Sequence, residues 1–106
     1  MQYFALQSVV RHLLLIQFKE DADQAKIDAM FKQFADLKSK INGIEWIEHG
    51  TNQNPEKLNK NFTHAVVVTF SNFVARDDYL IHPDHKDLER VLLSLLADLV
   101  VIDIEW

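Results

Sequence analysis

The chain of 106 residues contains no cysteine, two glycines and two prolines. Without cysteine there is no disulfide staple, no thiolate nucleophile and no zinc–thiolate centre, so folding must rest on apolar burial. A reducing compartment, the cytoplasm, is the expected location. Glycine is confined to Gly43 and Gly50, which leaves no glycine-rich loop to cradle a phosphate and no motif for nucleotide binding. Basic residues are also short, 11 against 16 acidic ones, for a net charge of -5 with no basic stripe. That balance disfavours nucleic acid or an anionic membrane as partner. The opening MQYFALQSVV has no basic start or small-residue cleavage site, and Gln2, Gln7 and Ser8 interrupt its apolar residues. Neither a signal peptide nor a membrane span is expected there. Residues 1–9 read as an N-terminal extension and 10–106 as one domain.

What is present is apolar residue, at 48% of the chain, enough for a packed core at this length. RHLLLIQFK (11–19) is a short run apolar on both faces and reads as a strand covered on both sides. From Asp21 to Ile41, the residues Ile27, Met30, Phe31, Phe34, Leu37 and Ile41 recur at helical spacing, and Asn42-Gly43 ends the helix. IEWIEHG (44–50) reads as a second strand, residues 51–61 as a polar loop, and the β-branched FTHAVVVTF (62–70) as a third strand. Ser71 or Asn72 caps a short helix that must stop before Pro83, and Pro83 starts the next. Leu88, Val91, Leu92, Leu95, Leu96 and Leu99 form its stripe, and VVIDIEW (100–106) closes as a last strand.

The order β-α-β-β-α-β predicts an α+β, ferredoxin-like, four-stranded antiparallel sheet with helices on one face. Helices on one face leave the other uncovered. There Leu13, Leu15 and Val67 need a partner, and a second copy packing sheet to sheet, a dimeric α+β barrel, is the expected solution.

Candidate chemistry gathers around YLIHPDHKDL (79–88). His12 and His64 share strand faces with core aliphatics, and His82 and His85 flank the proline turn. If the helices cover the His12 and His64 face, these groups converge on a pocket near Phe31, Phe34 and Leu96. The same histidines also read as hydrogen-bonded core residues, and His82 as a plain cap. As a site, the constellation permits proton transfer: His85 as general base, Tyr79 as donor to an oxyanion, and Asp103 holding the imidazole of His85. No metal-ligand spacing is legible, so no metal and no cofactor is expected.

RHLLLIQFK, NFTHAVVVTF, YLIHPDH and LVVIDIEW together resemble the stress-responsive A/B barrel domain (Dabb) family over residues 10–106. The resemblance implies a homodimeric ferredoxin-like barrel and a stress-related protein holding a small apolar or aromatic ligand between sheet and helices. It also implies an alternative, a cofactor-independent acid–base enzyme of the polyketide-cyclase, isomerase or lyase kind. Carried over from the family's cyclase, the general base falls on His85, its tyrosine partner on Tyr79, the pocket histidines on His12 and His64, and the supporting carboxylate on Asp103. Phe34 and Leu96 stand where that cyclase has a tyrosine and a tryptophan.

Overall fold

The computed structural model describes residues 8–106, so most of the expected extension over residues 1–9 lies outside the described residues. The elements run β1 (Val10–Phe18), α1 (Gln24–Lys40), β2 (Ile44–Thr51), β3 (His64–Phe70), α2 (Phe73–Ile81), α3 (Pro83–Leu95) and β4 (Leu96–Glu105). The four strands form one antiparallel sheet in the order β2-β3-β1-β4. This is the expected ferredoxin-like arrangement, with the second helical region split in two at Pro83.

Local chemistry sets most boundaries. Asp23 caps α1, its carboxylate accepting from Ala25 N at 2.9 Å, so the acid acts before the helix and the first turn itself carries none. Asn72 caps α2 through Ala75 N at 2.8 Å. His82 caps α3, its Nδ1 accepting from Asp84 N at 3.1 Å, with Pro83 at the first helical position. Two boundaries differ from expectation. β3 begins at His64, because Thr63 N bonds back to Ile16 O (2.9 Å) and Asn52 N to Thr63 O (2.7 Å), closing the loop before it. Leu96 and Leu99 are not in the helical stripe: α3 ends at Leu95, Leu96 pairs with Phe18 and Leu99 with Ile16, both in β4. A helix-compatible leucine run was overridden by tertiary pairing with β1.

The helices cover one face only. Val10, His12, Leu14 and Ile16 from β1, with Val66, Val68 and Phe70 from β3, are buried beneath Ile27, Met30, Phe34 and Leu37 of α1 and Leu88, Leu92 and Leu95 of α3. On the opposite face the pairing aligns Leu13, Leu15, Val67, Val100, Ile102 and Ile104 in one apolar patch, in which Ile102 is 53% exposed. The chain closes on itself beside this patch, where Val9 and Trp106 exchange two backbone hydrogen bonds of 2.9 Å.

Gly43 joins the layers. Its φ of +92° suits glycine, its carbonyl accepts from Ser71 N at 3.2 Å, and an added Cβ would sit 2.5 Å from Ala75 Cβ in α2. Gly43→Ala should therefore destabilise the fold by about 2 kcal/mol or more in chemical denaturation. A loss under about 0.5 kcal/mol would mean that α2 backs away freely.

Candidate functional site

Alternation along β1 turns His12 and Leu14 toward the helices, and the β1–β4 register sets Asp103 beside His12, Val101 beside Leu14 and Leu99 beside Ile16. Over them lies α3, presenting His85, Leu88, Glu89, Leu92 and Leu93. Between these layers is a cavity of about 330 Å³, lined also by Phe34 and Leu80. His12 and His85 are 6% and 9% exposed and share the buried part of the wall with Leu14, Phe34, Leu88 and Leu92, whereas Leu93 and Val101 are 56% and 48% exposed. The wall is thus largely apolar, with two imidazoles in its buried part.

The break between α2 and α3 positions His85. A helix end leaves carbonyls without intrahelical partners. One of them, Leu80 O, accepts from His85 Nδ1 at 3.2 Å. Nδ1 therefore carries the proton, and Nε2 is left as the basic nitrogen. Burial pushes the His85 pKa down, outweighing the Leu80 bond and Glu89, which push it up; His12 and Lys86 add to the lowering. At neutral pH the ring is uncharged.

Tyr79 packs its ring 4.2 Å from that of His85, centroid to centroid, and 5.9 Å from His12. It is fully buried, and its hydroxyl is the one buried side-chain polar atom without a hydrogen-bond partner among the described residues. Burial, with Glu89 nearby, pushes the phenol's pKa far up, so it stays a neutral donor.

Asp103 does not meet His85, contrary to expectation. Its Oδ1 accepts from His12 Nδ1 at 2.6 Å and its Oδ2 from Arg76 Nη1 at 2.6 Å. The physical reason is register: His12 and Asp103 are direct cross-strand partners, while Nδ1 of His85 is taken by Leu80. Burial works against ionising Asp103, but the bonds from Arg76 and His12 win and hold its pKa below the usual value.

Three expected pocket residues, His64, Phe31 and Leu96, do not line the cavity. His64 pairs with Ile16, four residues along β1 from His12, and its ring stacks on Phe31 at 5.4 Å. Phe31 also stacks with His49 at 4.8 Å, and Phe18 meets both Phe31 and His64 edge-on. Burial and the neighbouring His49 push the His64 pKa down. Leu96 packs against the core opposite Phe18 and does not line the cavity, where Leu99 and Val101 stand instead. Of the expected residues, His12, His85 and Phe34 line the cavity; Tyr79 packs against both imidazoles but is fully buried behind the cavity wall, contrary to expectation, Asp103 joins through His12, and Arg76 was not anticipated. Among the described residues no group of three or more His, Asp or Glu is placed to hold a metal, and no helix is long and apolar enough to cross a membrane.

The sequence pattern described as the stress responsive A/B barrel domain matches residues 10–106. The chain belongs to that family. Stress-response A/B barrel domain-containing protein HS1 of Arabidopsis thaliana is 31% identical to it over 94 residues, covering 89% of this chain and 86% of that protein. Olivetolic acid cyclase of Cannabis sativa is 29% identical over 94 residues, covering 89% and 93%. Among solved structures, a dimeric ferredoxin-like protein of unknown function from Jannaschia sp. CCS1 superposes with a TM-score of 0.84 at 20% identity, covering 92% of this chain and 99% of its own, a likeness of fold.

In this family member the neutrality of His85 has a measurable sign. The unfolded chain protonates that ring first as pH falls below about 6.5, so the stability tied to the neutral ring is present above that pH and lost below it. His64 acts in the same direction. Denaturation should reveal a fall in stability from about pH 7.5 to 5 that is shallower in His85→Gln. A wild-type curve flat across that window, or a His85 NMR titration midpoint above the ordinary imidazole value, would contradict the assignment.

Proposed function

We propose that this A/B barrel domain is a homodimeric, stress-related protein that holds a small apolar or aromatic ligand in the cavity between β1, β4 and α3. The observation that carries the reading is the cavity itself, walled largely by apolar side chains with two imidazoles in its buried part. About 330 Å³ falls at the lower end of the range for small-molecule sites. The apolar outer face, with Leu13, Leu15, Val67, Ile102 and Ile104, supports the dimer, since a patch of that kind marks an interaction surface. The dimeric assembly of the Jannaschia protein supports it too. A cytoplasmic setting belongs to the same reading, on the cysteine-free composition.

A second reading is favoured by the state of His85. A neutral imidazole with Nδ1 engaged and Nε2 free is a competent general base near neutrality, and a buried phenol lies against it. On this reading the domain is a cofactor-independent acid–base enzyme, related in chemistry to olivetolic acid cyclase, with His85 as base, the buried Tyr79 packed against its ring from behind, and His12 and Phe34 shaping the pocket. His64 and Phe31 then belong to a separate aromatic cluster beside it.

Two measurements test these readings. Sedimentation should give a dimer at micromolar concentration, and Ile102→Glu should convert it to monomer, because a charge buried between apolar sheets costs several kcal/mol. A wild-type monomer would remove the dimer from the proposal. Titration with para-butylphenol, followed by backbone amide NMR, should shift signals of β1, β4 and α3 and not those of the loop between β2 and β3. His85→Ala should keep the fold and weaken this binding about tenfold, the loss of roughly one hydrogen bond of 1.4 kcal/mol. Unchanged affinity in the folded variant would make His85 structural; shifts confined to the loop would place binding elsewhere.

A further inference from the structure

Arg76 has no place in the cavity wall, yet it touches the group that orients one of the cavity's imidazoles. Its guanidinium lies over the Phe73 ring at 5.2 Å, its Nε donates to Asp77 Oδ1 at 2.8 Å, and its Nη1 donates to Asp103 Oδ2 at 2.6 Å. Two contacts, with Phe73 and Asp77, hold the guanidinium besides the one it makes to Asp103. The other carboxylate oxygen of Asp103 accepts from His12 Nδ1 at 2.6 Å. An ionised carboxylate can only accept, so the proton of neutral His12 sits on Nδ1 and its Nε2 is an acceptor.

We propose that Arg76 is a positioning residue: from outside the cavity it holds and orients the Asp103 side chain whose acceptor oxygen keeps the proton of His12 on Nδ1, and so keeps His12 an acceptor toward the cavity. The inference does not depend on what the cavity holds. The charged and titratable groups around His12 are Asp103 on β4, Arg76 and Tyr79 on α2, and His85 and Glu89 on α3. Of these Asp103 alone bonds Nδ1, and Arg76 is the one other side chain that bonds the Asp103 carboxylate. With His85 Nδ1 committed to Leu80 O, both imidazoles keep Nε2 for the cavity. The buried part of the wall then offers two acceptor nitrogens, which suit ligand hydroxyl groups.

The chain is sensitive to one atom exchange. In Asp103→Asn the amide has one acceptor and one donor end. Arginine has only donors and must take the oxygen, so the NH2 turns toward His12. Nδ1 must then accept, and the proton of His12 moves to Nε2. This inversion requires Arg76. In Asp103→Asn combined with Arg76→Met the amide is free to rotate, its oxygen can again accept from Nδ1, and the original tautomer returns in a substantial fraction.

The readout is the pair of imidazole 15N shifts of His12, recorded on the alkaline plateau where those shifts no longer change with pH and the ring is neutral. Wild type should be predominantly protonated on Nδ1, Asp103→Asn predominantly on Nε2, and the double variant mixed, with the His85 tautomer unchanged throughout. Wild-type protonation on Nε2, no inversion in folded Asp103→Asn, or the same inversion with Arg76 removed would each overturn the proposal. Should the double variant fail to fold, Asp103→Asn alone decides: inversion supports Arg76 as the orienting group and retention of the Nδ1 tautomer refutes it. A residue serving only stability would shift the denaturation midpoint and leave the tautomer of the folded protein alone.

Discussion

Register between β1 and β4 governs the sheet wall of the cavity and the polar pair behind it. His12 opposite Asp103 is one rung of that ladder, and its neighbours on the same face, Leu14 with Val101 and Ile16 with Leu99, supply the apolar walls. A slip of one residue would send the carboxylate to the outer sheet face and bring Ile102 or Ile104 beneath α3. Asp103 carries a bond to each of two cations or potential cations, so the ladder is fixed by electrostatics as well as by burial. The half-buried pair resists the slip because an unpaired carboxylate there would lose both partners.

The opposite wall depends on an interruption. Pro83 cannot continue α2, and the break frees Leu80 O and aims His85 at it. Catalytic-looking geometry is here the by-product of satisfying a helix terminus. It produces an imidazole held by the backbone alone, next to one held by a charged network. The two rings differ accordingly: burial dominates for His85, while His12 is tied to an ion pair that reaches the surface at Arg76 and Asp77.

Strand alternation and helical spacing made most of the fold legible in the sequence. The face of β1 that is covered, the proline junction and the inward turn of His85 all follow from periods of two and 3.6 and from the chemistry of proline. Three things were not legible. Leu96 and Leu99 continue the leucine spacing of α3, and only their pairing with Phe18 and Ile16 makes them strand residues. Asp103 could have met either histidine from sequence alone, since the choice depends on a register that no local pattern encodes. Arg76 lies amid VARDD, an ordinary solvated stretch of helix, and nothing in its spacing points 27 residues onward to β4. His64 and Phe31 share the face of the cavity residues but sit farther along the strands, a distance that face-counting does not measure.

The pairing of Val9 with Trp106 has a consequence for how the molecule comes into being. β1 sits in the interior of the sheet, flanked by β3 and β4, yet among the described residues it is the earliest strand and β4 the last. During synthesis β1 emerges with both edges bare and must wait until β4 has emerged before its second edge is covered. Local helices can form meanwhile, but the layer they cover is assembled only after β4, through contacts of long sequence separation that fold slowly. An apolar strand exposed on both edges for that interval is a target for chaperones and for other nascent copies of itself.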